Sequence, residues 1–163
     1  MPPNGHEPRV QLSVLDRLLD DEPKKREETP AGRAQSLRQM KAAVRRDLEW
    51  LLNTRCIPEA AEEDLKEVPN SLYTYGLPDF SSFTVGSTQA KLRLQRALQH
   101  ALENFEPRLM NVSVATIDDE SAKDRRMLRF LISGLLRMDP APEQVTFDTM
   151  LELTRGEYKV RED

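Results

Sequence analysis

Near residue 107 the hydrophobic period of this chain changes, and the change limits the folds open to it. Apolar residues recur at three- to four-residue spacing up to Phe105, then alternate with a period of two from Leu109 onward. Pro107 stands at the seam. It has no N–H to continue a helix and biases Glu106 away from the α region, so it stops one kind of element before the other begins. Helices first and strands second make an α+β layout, with N-terminal helices packed on a small antiparallel β-sheet formed by the C-terminal half.

On the helical side, residues 1–8 form a tail, and Val10, Val14, Leu15, Leu18 and Leu19 trace one face of a short helix flanked by Asp16, Asp20 and Asp21. So short a helix is unstable alone, and its apolar stripe is expected to dock. The stretch DEPKKREETPAGR has no apolar residue larger than Ala31 and reads as a linker, its KKR a solvated charge cluster. Residues 1–33 are therefore expected to be a flexible tail with a short docking helix and linker, and 34–163 a single α+β domain. Ser36 is the expected N-cap of a second helix, in which Leu37, Met40, Val44, Leu48, Leu51 and Leu52 fall at helical spacing. The basic residues between them, with Asp47 and Glu49 interleaved, describe a solvated salt-bridged face. An acidic loop over residues 58–83 contains the turn segment YTYGLPDFSS. A third helix is expected from about Thr88 to Phe105, turning Leu94, Ala97, Leu98, Ala101, Leu102 and Phe105 inward.

On the strand side, Leu109–Thr116, MLRFLISGLLRM and VTFDTMLEL read as strands. The turn DPAP suits a hairpin, and the short GEYKV lies beside the third strand.

Composition narrows the function more by exclusion than by assignment. Net charge is only −4, so nothing in the total points to nucleic acid. No apolar run approaches the ~20 residues of a membrane span, and the start MPPNGHEPR has neither part of a signal peptide. The single cysteine, Cys56, excludes an internal disulfide and fits a reduced, cytoplasmic setting. His6, His100 and Cys56 do not fall at metal-ligand spacing, and no cofactor is implied. No nucleophile or phosphate-loop motif is present, and no pair of carboxylates is singled out for glycosidase chemistry, so the chain reads as non-enzymatic.

Two features are candidates for partner binding. The first is Glu106, Pro107 and Arg108, where proline stiffens the backbone that carries an acid and a base. An ordinary ion pair between Arg108 and a nearby carboxylate is the simpler account, and a rigid fork for a carboxylate on another chain is the other. The second is the sheet. Every small sheet has edges that another chain's strand can extend, and the third strand, through Val145, Phe147, Thr149 and Leu151, is the expected pairing segment.

LDRLLDDEP, LRQMKAAVRRDLEWLLNTR, YGLPDFS, FEPRL and APEQVTFDTMLEL occur in this order between about residues 12 and 153. Together they resemble the TssE family of type VI secretion baseplate subunits, part of the larger family of baseplate wedge proteins of contractile-tailed phages. The resemblance implies a structural role in a cytoplasmic baseplate at the inner face of the cytoplasmic membrane. It implies TssF and TssG as neighbours, TssK nearby, and the sheath subunits TssB and TssC polymerising from the platform. It further implies that Glu106, Pro107 and Arg108 make a contact within the wedge and that the sheath's first ring pairs with the sheet by strand addition. Some phage relatives carry a lysozyme label, which makes a peptidoglycan-cleaving glycosidase the alternative; no carboxylate pair here supports carrying that activity over.

Overall fold

The computed structural model describes residues 14–18, 33–57, 64–68, 71–80, 87–117, 127–139, 141–153 and 155–162. Among these residues three α-helices, α1 (Val14–Leu18), α2 (Arg33–Asn53) and α3 (Thr88–Phe105), and a 3-10 turn at Leu72–Thr74 precede four strands: β1 (Leu109–Ile117), β2 (Met127–Leu136), β3 (Glu143–Glu152) and β4 (Glu157–Glu162). The tail, the linker, the DDESAKD turn and much of the acidic loop lie outside the described residues.

The expected bounds of α3 hold at both ends. Ser87 caps the start, its hydroxyl accepting from the Ala90 N–H, and Glu106 closes the end by donating its N–H to the Leu102 carbonyl. Leu94, Leu98, Ala101 and Leu102 are buried as the spacing required. The start of α2 differs: Ser36 lies inside the helix and is buried rather than capping it, because the helix begins a turn earlier at Arg33.

The strands form one antiparallel sheet in the order β1-β2-β3-β4. One face carries Val112, Val114, Phe130, Ile132, Val145, Phe147, Leu151, Tyr158 and Val160, all buried against α2 and α3. Burying a Leu or Phe side chain of this kind contributes about 1.5–3 kcal/mol, so the core seam holds the two halves together. In β1 the simple alternation breaks. A bulge between Met110 and Ser113, with Asn111 at φ 52°, lets Leu109 and Val112 both face inward.

The short last strand lies beside β3, as the sequence suggested, and this bears on where a further strand could pair. From Phe147 to Glu152 it pairs with β4 on one side, and along its whole length it pairs with β2 on the other. Phe147, Thr149 and Leu151 therefore belong to an interior strand with buried side chains and cannot receive an added strand without displacing β4. Only Glu143–Thr146, which includes Val145, runs past β4 and pairs with β2 alone among the described residues. Period-two alternation identifies a strand's buried face but carries no information on whether its backbone edge is taken.

One position on each outer strand is taken by a carboxamide from a helix. On β1, Gln95 of α3 donates to the Val114 carbonyl at 2.5 Å. On β4, Asn53 at the end of α2 donates to the Tyr158 carbonyl at 3.0 Å and accepts from the Tyr158 N–H at 2.8 Å. A side-chain amide with one donor and one acceptor in this geometry takes the place of a neighbouring strand. Arg55 continues the row by donating to the Gly156 carbonyl at 2.8 Å.

Candidate functional site

The Glu106-Pro107-Arg108 corner is assembled from four separate segments. Glu106 is only 3% exposed, Pro107 is exposed, and Arg108 is half-buried between them. The Arg108 guanidinium grips Glu106 with two parallel bonds, Nε to Oε1 at 2.6 Å and a second from the terminal nitrogen to Oε2. The same carboxylate accepts from the Arg108 backbone N–H at 3.2 Å. A buried carboxylate would be costly alone, and the fork makes it tolerable.

Arg108 also reaches across to α2, where Asp47 Oδ2 accepts from its terminal nitrogen at 2.7 Å. Asp47 Oδ1 in turn accepts from Arg46 Nε at 2.9 Å, and Arg46 donates to Asp16 of α1 at 2.7 Å. Charges thus alternate along Asp16, Arg46, Asp47, Arg108 and Glu106, which ties α1, α2 and the corner together. Burial works against the charge of Arg108, but the hydrogen bond and charge of Glu106, then those of Asp47, outweigh it and raise its pKa above the ordinary value. The Arg46 pKa is raised by its hydrogen bonds to Asp47 and then to Asp16.

The YGLP loop supports the corner from another side. Tyr75 packs edge-on against Phe105, the last residue of α3, with centroids 5.2 Å apart, and burial together with the charges of Asp47 and Glu106 raises its pKa. Leu77, fully buried, is held by backbone bonds between Leu77 and Thr54 (2.9 Å) and between Cys56 and Leu77 (3.0 Å). Gly76 is required for this approach. Its φ is +107°, and a Cβ there would lie 2.5 Å from the Thr54 carbonyl oxygen.

The structure thus brings together pieces of four sequence segments noted separately: Asp16, the Arg46–Asp47 pair, Tyr75 and the corner itself. Arg108 does make an ion pair with nearby carboxylates. That one of them is Asp47 had no signal in the sequence, since the two are 61 positions apart. In α1, Asp16 makes the contact with α2, and Val14 and Leu18 are 73% and 76% exposed; Val10, Leu15 and Leu19 of the expected stripe lie outside the described side chains.

Among the described residues no group of His, Cys, Asp or Glu is arranged to hold a metal ion, and no helix is long and apolar enough to cross a membrane. Neither curated proteins nor solved structures yield a match to the chain. The family model of baseplate wedge protein gp25 matches residues 38–141, from α2 through the corner and across β1 and β2. With its α+β fold and a match over most of its length, the chain belongs to the gp25 family of baseplate wedge proteins, structural components of a phage-like baseplate that assemble with other baseplate components.

Proposed function

We propose that this chain is a non-enzymatic subunit of a type VI secretion baseplate, a TssE-type protein, in the cytoplasm at the inner face of the cytoplasmic membrane. It joins a wedge with TssF and TssG, with TssK nearby, and starts polymerisation of the TssB–TssC sheath by β-strand addition. Family membership supports the baseplate role. The corner supplies the wedge contact through exposed Pro107 and the partly exposed Arg108, whose fork is held in one orientation by Glu106.

The overhang of β3 carries the sheath half of this proposal. Among the described residues Glu143–Thr146 pair on one side only, whereas Val114 and Tyr158 on the outer strands are occupied by Gln95 and Asn53. Along β3, odd-numbered residues direct their backbone groups to β2 and even-numbered ones away from it, as the Asn53 bonds to Tyr158 require opposite Leu151. Gln144 therefore offers its N–H to the open side, and Val145 directs its own to β2. Proline at 144 removes a donor that only an added strand would use; proline at 145 breaks the existing ladder. Gln144→Pro is expected to fold and to fail at sheath attachment. Normal sheath polymerisation from a folded Gln144→Pro baseplate would refute strand addition at this site. The non-enzymatic part is tested by turbidity of purified cell wall, which should not fall; clearing lost on a single acidic substitution would overturn it.

A further inference from the structure

The two long helices treat their bases differently. On α2, Arg45 reaches Glu49 at 3.9 Å and Arg46 reaches Asp47 at 2.8 Å, so positive charge is answered within the helix. On α3 no residue from Thr88 to Leu102 is acidic, although the chain as a whole holds 28 Asp and Glu against 24 Lys and Arg. Arg93 and Arg96 lie in that stretch, both exposed and neither in an ion pair among the described residues. Three positions apart on a helix, they are surface neighbours of like charge and repel. Leu92, 47% exposed, is one turn from Arg96 on the same side. The acid of α3, Glu103, stands in the last turn, where the helix dipole disfavours it, and its Oε1 accepts from Gln99 at 3.0 Å.

Glutamine and glutamate have nearly the helix propensity of arginine, so helix formation does not explain two unanswered like charges. We infer that the outward face of α3, through Leu92, Arg93 and Arg96, is a docking surface for a protein partner that presents carboxylates beside an apolar side chain. Arginine is suited to this because its planar fork meets a carboxylate with two bonds. The backbone under the face is fixed before binding. Gln95 ties α3 to the Val114 carbonyl, and Leu94, Leu98, Ala101 and Leu102 are buried on the opposite side, so little order remains to be imposed. The helix also leads into the corner: Arg96 precedes Glu106 by about 15 Å along the axis. One interface of standard size, about 800 Å² per partner, spans that distance. The inference rests on the wedge role proposed above, because it takes the partner to be a neighbouring baseplate subunit.

The test titrates the purified TssF–TssG complex, at several salt concentrations, with the wild-type chain and three double variants. Arg93→Gln/Arg96→Gln neutralises the face, Arg93→Glu/Arg96→Glu reverses it, and Lys159→Gln/Arg161→Gln removes the same charge from exposed positions on β4. All the substituted side chains are exposed, so thermal melts should be unchanged, or slightly higher where the repulsion on α3 is relieved. Neutralising α3 is expected to weaken binding by about fivefold and to flatten its salt dependence. Reversing it should weaken binding by about tenfold or more, mainly through slower association, and the β4 variant should bind as the wild type does. Wild-type affinity and salt dependence in both α3 variants overturn the docking face and leave the wedge role standing. An equal loss in the β4 variant assigns the effect to net charge and overturns the face. No binding by the wild type overturns both readings. Salt-sensitive binding of the wild type to duplex DNA or anionic vesicles that the neutral α3 variant loses, with unchanged affinity for the complex, assigns the face to a different polyanion and overturns the inference.

Discussion

The corner at Glu106–Arg108 and the two sheet edges both satisfy polar groups that the fold takes out of water, but by opposite means. The corner uses full charges on long side chains, drawn from α2 and from the turn itself. The edges use neutral carboxamides, Asn53 and Gln95, set against backbone groups. A charged network punishes the loss of one member severely because the remaining charge is stranded. A neutral cap costs less when lost, because only one or two hydrogen bonds are left unmade. The corner therefore holds an orientation, whereas each carboxamide occupies a single position on an outer strand.

Arg108→Ala is the strongest test of that difference. It strands Glu106, which is nearly fully buried, and should lower stability by about 3 kcal/mol, the low end for a broken buried pair because Arg108 itself is partly exposed. Urea unfolding measures this, and a loss under about 1 kcal/mol would reduce the corner to an ordinary surface ion pair. Arg108→Lys should recover only part of the loss, since an ammonium does not reproduce the two parallel bonds.

At the edges, Asn53→Ala leaves both polar groups of Tyr158 unpaired and should cost about 2 kcal/mol, against about 1 kcal/mol for Gln95→Ala, which frees a single carbonyl. Equal effects in the same unfolding assay would mean that the second hydrogen bond of Asn53 adds nothing.

The outer end of the charge chain should matter less. Asp16→Asn is expected to change global stability by under about 1 kcal/mol. It should nonetheless speed hydrogen exchange in α1, because the pair with Arg46 holds that short helix to α2. Unchanged exchange would show that something other than this pair retains α1.

The smallest effect concerns Tyr158. Burial raises its pKa above the ordinary 10.0. For a group raised in the folded state, stability is fully present below the unfolded value and falls as pH rises from about 10 toward the folded value. Tyr158→Phe should remove that alkaline decline. It should leave stability near neutral pH unchanged or slightly higher, because the hydroxyl is buried without a hydrogen-bond partner among the described residues. Alkaline melts of the two proteins that coincide would contradict this.

Much of the fold was legible in the residues themselves. The switch of period at Pro107, the bounds of α3 and the identity of the buried faces depend on local spacing and on proline and serine chemistry, which act within a few residues. The candidate corner was visible for the same reason. Tertiary structure decided what local pattern does not encode. It placed β3 inside the sheet, because alternation marks a face and is silent about edges. It set Asp16 against Arg46 of α2, a contact between residues 30 positions apart that local spacing does not encode. It gave Arg108 its second carboxylate from Asp47, because charges so far apart in sequence meet only when α2 and α3 share a core.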